Sequence, residues 1–370
     1  MILDEQDQLL SIRQPFKHYF ALRDNGVINM HKMKGDEKEC ALFSRREFIW
    51  ELCKLCAFSA ACVSTHNAIS SRALEARKES KVIIVRSQKV FKKLPRPDKE
   101  ELARMLDKGM MLLTGEKDPK RAWEKLFNSD ERIGIKPNGL GGATCSTSKE
   151  LIEICIERLT GIGIKAENIF LWEQNPNFIR NCGFEVRPKG PGVRVMNVQE
   201  TFGGVVKQGS FRGRVTRIIT NYVDAIINMP ILKDHNIAGI TGALKNHYGS
   251  IDNPMAHHAN NCDPYIADLN SLPAIRKKTR LIIGDALRPL CEGGPSDKPQ
   301  FRWVYGGIIL SCDPVAHDAV AARIIQERRK ELSLPPLERI GRPPKHIETA
   351  ARRGLGVADL KKIDLIAVTL

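Results

Sequence analysis

The feature that most constrains this chain is a series of short apolar runs, rich in β-branched residues, that each stop at polar residues or glycine. Lys81–Arg86 (KVIIVR), Arg132–Lys136 (RIGIK), Asn168–Trp172 (NIFLW), Val223–Asn228, Leu281–Ile283, Gly307–Ser311 and Ile363–Val368 are of this kind. Continuous apolar runs of this length belong to strands buried on both faces of a sheet. Two shorter strands are expected around Phe184–Arg187 and Val193–Val198, and Thr201–Gly213, rich in glycine and basic residues, reads as a loop.

Between the runs lie segments of helical period. They cover residues 98–127, broken near Gly115 and Pro119, then Lys149–Leu159, and Asp263 to about Ile275. Two more are the run after Asp313-Pro314 and Pro343–Gly354. Asp-Pro before a periodic run is a helix start, Asp as cap and Pro at the first position; Thr147 or Ser148 can cap the helix at 149. Strands alternating with helices, with few hairpin signals, predict an α/β fold: a largely parallel sheet flanked by helices, Rossmann-like and doubly wound. The simplest partition is a leader and linker over 1–80, without strand pattern, and a single α/β domain over 81–370.

A parallel sheet gathers the residues that follow its strands along one edge, where open α/β sheets bind ligands. Four segments qualify, at Lys136, at Asp224–Ser250, at Asp285 and at Asp313. Asp224–Ser250 reads as a buried strand that ends at Pro230 in a loop. Within fifteen residues it presents Lys233, Asp234, His235, Lys245, Asn246 and His247, with Gly239 and Gly242 allowing close backbone approach. After Lys136 comes a glycine- and hydroxyl-rich loop, Pro137–Ser148, running into a helix N-terminus, an arrangement that offers free N–H groups to an anion. It is neither the Walker pattern nor Gly-x-Gly-x-x-Gly.

These residues support a site for an anionic small molecule bearing phosphate or carboxylate. Lys136, Lys233 and Lys245 would supply positive charge, with Asn138, Thr241 and Asn246 beside them. His235 or His247 would transfer a proton, and Asp285 would orient that histidine or help hold a cation. The bland alternative is that the Lys and His side chains satisfy buried carbonyls in a tight loop. A non-catalytic anion-binding module would keep the lysines without the proton transfer. A metal- or iron–sulfur-associated redox or accessory protein is the other reading, with His257, His258, Asp313 and Asp318 as weak ligands for a divalent metal; capping also explains Asp313.

A net charge of +15 favours anionic partners. No helix-turn-helix, zinc-finger or RNA-binding signature accompanies it, and aromatics at 6% are too sparse for a stacking platform. No apolar run reaches membrane-spanning length. Ser44-Arg45-Arg46-Glu47-Phe48-Ile49 followed by an apolar stretch from Leu55 to Val63 looks like a twin-arginine export signal, which would place the mature chain in the periplasm or outside the cytoplasm. Glu51, Lys54 and the long leader favour the alternative, a cytoplasmic protein with an amphipathic N-terminal helix. Of ten cysteines only Cys53 and Cys56 form a Cys-x-x-Cys, within that segment. The remaining spacing disfavours an iron–sulfur cluster, and the six cysteines beyond the signal have no assignable pairing.

The motifs IKPNG, DAIINMPILKDH, ITGALKN-x-x-G, LIIGDA and ILSCDPVAHDAV, in this order over about 81–330, resemble the domain of unknown function 362 family. The resemblance marks Lys136, Asn138, Lys233, His235, Thr241, Lys245, Asn246, Gly249, Asp285, Asp313 and Asp318 as motif residues. It implies no particular reaction. Members often carry a twin-arginine leader; some resemble iron–sulfur proteins through a ferredoxin-like cysteine run that this chain lacks.

Overall fold

A computed structural model describes residues 80–92 and 94–370, together with the backbone of three strands within residues 18–41. The chain divides into two compact units, Met1–Ser71 and Arg72–Leu370. In the first, β1 (His18–Leu22), β2 (Ile28–Lys34) and β3 (Glu37–Ala41) pair antiparallel in sequence order. The expectation of no strands before residue 80 is thus corrected. Asn25-Gly26 and Gly35-Asp36 between these strands are hairpin signals of the glycine-containing kind. The twin-arginine-like segment and Cys53/Cys56 lie outside the described residues.

The second unit is built on a ten-stranded sheet. Its strands are β4 (Ser80–Arg86), β5 (Ile133–Lys136), β6 (Ile169–Glu173) and β7 (Arg194–Asn197), then, after the separate hairpin of β8 (Phe202–Gln208) and β9 (Phe211–Thr216), β10 (Ala225–Asn228). β11 (Ile231–His235), β12 (Gly239–Thr241), β13 (Thr279–Leu290), β14 (Gly307–Ser311) and β15 (Ile363–Thr369) complete it. The spatial order is β15-β4-β14-β13-β10-β5-β6-β7, with β11 joining β13 and β12 joining β11. Neighbours run parallel except where β14 and β12 intervene. The α/β class expected from the apolar runs holds.

Helices cover both faces, which is why the strands read as continuous apolar runs rather than alternating ones. Along β4, Val82 and Ile84 join one core with Phe170, Trp172, Ile226 and the helix Pro314–Glu331. Ile83 and Val85 join the other with Ile135, Leu171, Ile227 and the helices Lys99–Thr114 and Lys149–Gly161. The period of two along each strand divides the cores.

Three local expectations change. Thr201–Gly213 is not a loop: it contains β8 and part of β9, paired antiparallel around the two-residue turn Gly209-Ser210, a glycine-first hairpin signal. Phe184–Arg187 contributes only an isolated bridge from Arg187 to Val195. Asp263 does not cap a helix, since the segment folds as two short helices, Tyr265–Ser271 and Pro273–Arg276, the first without a side-chain cap.

A fourth difference matters for the site. Because β14 runs antiparallel to β13 and β4, with Ser311 opposite Ile282 and Val82 and Gly307 opposite Ala286 and Arg86, its end falls at the opposite edge of the sheet from Asp285. Asp313 is therefore not part of the ligand edge. It caps the helix Pro314–Glu331 through Val315 and Ala316 N–H, and also accepts from Ser80 Oγ (2.8 Å) and Val357 N–H (3.0 Å). Asp313→Ala is expected to lower the unfolding free energy by about 2 kcal/mol, the upper end for a lost cap. A urea midpoint left unchanged would show that the cap contributes little.

Candidate functional site

Four parallel strands bring polar residues to one edge. β10 pairs Asn228 with Lys136 at the end of β5, and Glu173 ends β6 two residues beyond the Ile135–Leu171 pair. Lys136 and Glu173 are both buried and form an ion pair of 2.9 Å; Lys136 also donates to Pro137 O (2.6 Å). Glu173 further accepts from Gly139 and Gln174 N–H. A Cβ at Gly249 would lie 2.8 Å from both Glu173 Oε2 and Lys136 Nζ, so the glycine lets the backbone close over the pair. Lys136 is thus already neutralised and is corrected from ligand clamp to structural ion pair. Glu173, the acidic residue directly after Asn168–Trp172, obeys the same strand-end rule as Lys136 but is not among the expected site residues.

Beside the pair, three amides form a chain. Asn138 Nδ2 donates to Asn246 Oδ1 (3.0 Å), and Asn246 Nδ2 donates to Asn228 Oδ1 (2.8 Å) and Lys136 O (3.0 Å). Asn138 Oδ1 is buried with no partner among the described residues. This network fixes the short helix Ala243–Asn246 against β5 and β10. Asp318, from the helix Pro314–Glu331, holds its other end by accepting from Ala243 N–H (2.6 Å) and Leu244 N–H (3.0 Å). A carboxylate at a helix N-terminus is stabilised by the local dipole.

The helix N-terminus at Ser148, read above as a free anion site, holds the chain's own carboxylate. Asp285 Oδ2 accepts from Ser148 N–H and Oγ–H at 2.8 Å, and Oδ1 accepts from Leu287 N–H at 3.0 Å. Burial raises the Asp285 pKa above its usual value, with these hydrogen bonds opposing the shift. Asp285 bonds neither His235 nor His247, so its expected role of orienting a histidine is corrected to anchoring a helix.

β10 ends at Asn228, just before Pro230, as expected, but no loop follows: β11 starts at Ile231 and turns back through β12, pairing Lys233 with Thr241 and His235 with Gly239. Alternation along β11 separates Asp234, which bonds Arg342 (3.0 Å) and Gly294 N–H (2.7 Å), from Lys233 and His235. Lys233 is fully buried, and its ammonium donates to Leu140 O and to Cys145 O (3.3 Å), carbonyls of the glycine-rich loop. Lys245 is also buried; its Nζ lies 3.4 Å from His258 Nε2 and 4.1 Å from the centre of the Tyr248 ring. Among the described residues neither ammonium has a carboxylate within ion-pair distance. Burial lowers the pKa of both, that of Lys245 to about 8.

Two histidines complete this basic cluster with complementary protons. His235 Nδ1 accepts from Ile237 and Ala238 N–H (3.1 and 3.2 Å), which puts its proton on Nε2. His258 Nδ1 donates to Pro254 O (2.8 Å), which leaves its Nε2 as an acceptor toward Lys245. Their rings stack 5.8 Å apart. Burial, then the charge of Lys245, lowers the pKa of both rings, a shift toward the neutral form.

The remaining candidates are dispersed. His247 is buried under β10 and β13, with Nε2 3.4 Å from Asn228 Nδ2 and Thr279 Oγ1, and burial pushes it down to about 3. His257 packs its ring on Phe211 and Tyr265. Asp318 bonds His317 Nδ1 (2.8 Å) as well as the helix 243–246. Thr241 Oγ1 and both ring nitrogens of His346 are buried without partners among the described residues. His346 was not singled out by the sequence, where a lone histidine in a helix carries no signal. Among the described residues no group of three or more His, Cys, Asp or Glu side chains could hold a metal ion. The proposed ligands His257, His258, Asp313 and Asp318 therefore do not form a metal set. Cys145, Cys155, Cys182, Cys262 and Cys291 are free, buried thiols, and no described helix is long and apolar enough to cross a membrane.

The fold and the side chains at its edge define an α/β domain with a buried cluster of lysines and histidines beside the C-terminal ends of its parallel strands. The family model described as Domain of unknown function (DUF362) matches residues 133–323, and the chain belongs to that family. None of the curated proteins matches it. A crystal structure of a protein from Thermotoga maritima is similar over 62% of this chain and 59% of its own, at 14% identity and a TM-score of 0.40. The alignment thus spans about three fifths of that protein's length.

Proposed function

We propose that the domain is an enzyme acting on a small anionic molecule, bearing phosphate or carboxylate, at the cluster of Lys245, His235, His258 and Lys233. The observation that carries this reading is Lys245: a buried ammonium whose neighbours include an imidazole nitrogen and an aromatic face, with no carboxylate counter-ion among the described residues. Burying an unpaired charge is costly, and a bound anion would remove that cost. The reading keeps Lys233 and Lys245 from the expected clamp. It drops Lys136, which is bound to Glu173, and His247, which lies beneath the sheet edge.

The two imidazoles supply proton chemistry. His235 presents an N–H toward a ligand and His258 presents a lone pair, so one donates while the other accepts. Two neutral groups of opposite tautomer can move a proton across a bound substrate without a net change in charge.

Calorimetric titration with inorganic phosphate and with small carboxylic acids checks the reading. Loss of one charged contact costs about 1.5–3 kcal/mol, so Lys245→Ala should weaken binding roughly ten- to hundred-fold. Equal affinity in the wild type and the variant, or no binding of any anion by the wild type, would refute it.

A further inference from the structure

Three buried lysines stand near one edge of the sheet, in three different surroundings. Lys136 is paired with the carboxylate of Glu173 at 2.9 Å. Lys233 donates to two carbonyl oxygens, Leu140 O and Cys145 O, acceptors that favour the protonated form. Lys245 alone of the three faces a neutral base, His258 Nε2 at 3.4 Å. In the neutral ring that nitrogen carries the lone pair, because Nδ1 donates to Pro254 O at 2.8 Å. The face of the Tyr248 ring lies 4.1 Å from Nζ, a contact that attracts the ammonium but accepts no proton from it.

We propose that Lys245 is a nucleophilic amine that forms an iminium bond with the carbonyl carbon of a small oxo acid. This rests on the anion site above and names its substrate class: the carboxylate is held by the cluster's charge while the neighbouring carbonyl meets Nζ. Lys245 passes one ammonium proton to His258 Nε2, and the freed amine attacks the carbonyl carbon, forming C–N as the C=O π pair moves to oxygen. That oxygen takes a proton from the attacking nitrogen to give a carbinolamine. It then takes the second from His258 and leaves as water, and nitrogen's lone pair closes C=N. One ammonium and one carbonyl thus become one iminium and one water, with His258 returned to its neutral form.

Desolvation is a recognised way to activate a lysine, and burial is the main cause that lowers the Lys245 pKa, opposed by Cys262 and assisted by the charge of Lys233. The amine is also rigidly placed: the helix 243–246 that carries it is held by Asp318 at its start and by Asn246 at its end.

The test is reductive trapping on the intact chain. Protein is incubated at pH 7.5 with pyruvate and sodium cyanoborohydride, and lysine modification is mapped by peptide mass spectrometry. Lys245 is expected to label at least ten times faster than the exposed lysines, with a rate that rises to half its maximum near pH 8. Lys245→Arg, which keeps the charge and is checked for folding by circular dichroism, should lose that label alone. Label spread over exposed lysines with Lys245 unmodified would overturn the proposal. Acetaldehyde, which has the carbonyl but no carboxylate, separates the two readings. Equally fast labelling of Lys245 by both reagents would uphold the amine and count against the anion site. Absence of Lys245 label with intact phosphate affinity would leave the anion site standing and remove the amine.

Discussion

Glu173→Ala is expected to destabilise the domain by about 3–5 kcal/mol, because it leaves the Lys136 ammonium buried without its counter-charge. The pair is closed on every side: the lysine and glutamate side chains are 0% and 3% exposed. Gly139 and Gln174 N–H also lose their acceptor. A buried pair replaced as a unit behaves differently from one that is broken, so the double variant Lys136→Met/Glu173→Leu should recover much of the loss, short of the two orphaned N–H groups. Equilibrium unfolding in urea measures both. A loss below about 1 kcal/mol in Glu173→Ala would mean that water reaches Lys136.

Lys245→Met should do the opposite and stabilise the unliganded protein. The Lys245 ammonium sits near 8 against an ordinary 10.5, a difference worth roughly 3 kcal/mol at neutral pH. Between those values the unfolded chain binds more proton than the folded one, so stability rises with pH through that window. The penalty is fully present below about pH 8 and is relieved toward pH 10.5. Lys245→Met removes both the penalty and this part of the slope, and in the proposed account it removes anion binding as well. Comparing the two proteins across pH isolates Lys245 from Lys233 and Lys278, whose pKa values are lowered in the same direction. A variant less stable than the wild type at pH 7 would show that the ammonium is already compensated. A residue that costs stability and supports binding is the pattern expected of a functional group.

Much of the architecture was legible because strands buried on both faces have a composition that little else shares. What composition cannot carry is strand direction. Gly307–Ser311 reads like its parallel neighbours, since it too is covered on both faces, yet it runs the other way and takes Asp313 to the far edge. The strand-end rule located Lys136 and Asp285 but not their partners, because Glu173 and Ser148 lie far away in sequence and meet them only through strand order. The same limit explains why the free helix N-terminus at Ser148 is not free. Lys233, His235 and Lys245 were found because they crowd one short stretch. His258 stood out only as half of a histidine pair, with nothing in the sequence to show that Lys245 faces it. The hairpin of β8 and β9 was legible in Gly209-Ser210, but the surrounding glycines and charges obscured it.

The central claim is that the buried ammonium of Lys245 is there to meet an anion. Its pKa, followed by NMR on lysine-labelled protein with the resonance assigned through Lys245→Arg, tests this directly. The account predicts a value near 8 in the unliganded protein, rising by a unit or more, about 1.4 kcal/mol or above, when phosphate or an oxo acid saturates the site. The same pKa with and without a saturating anion would contradict it.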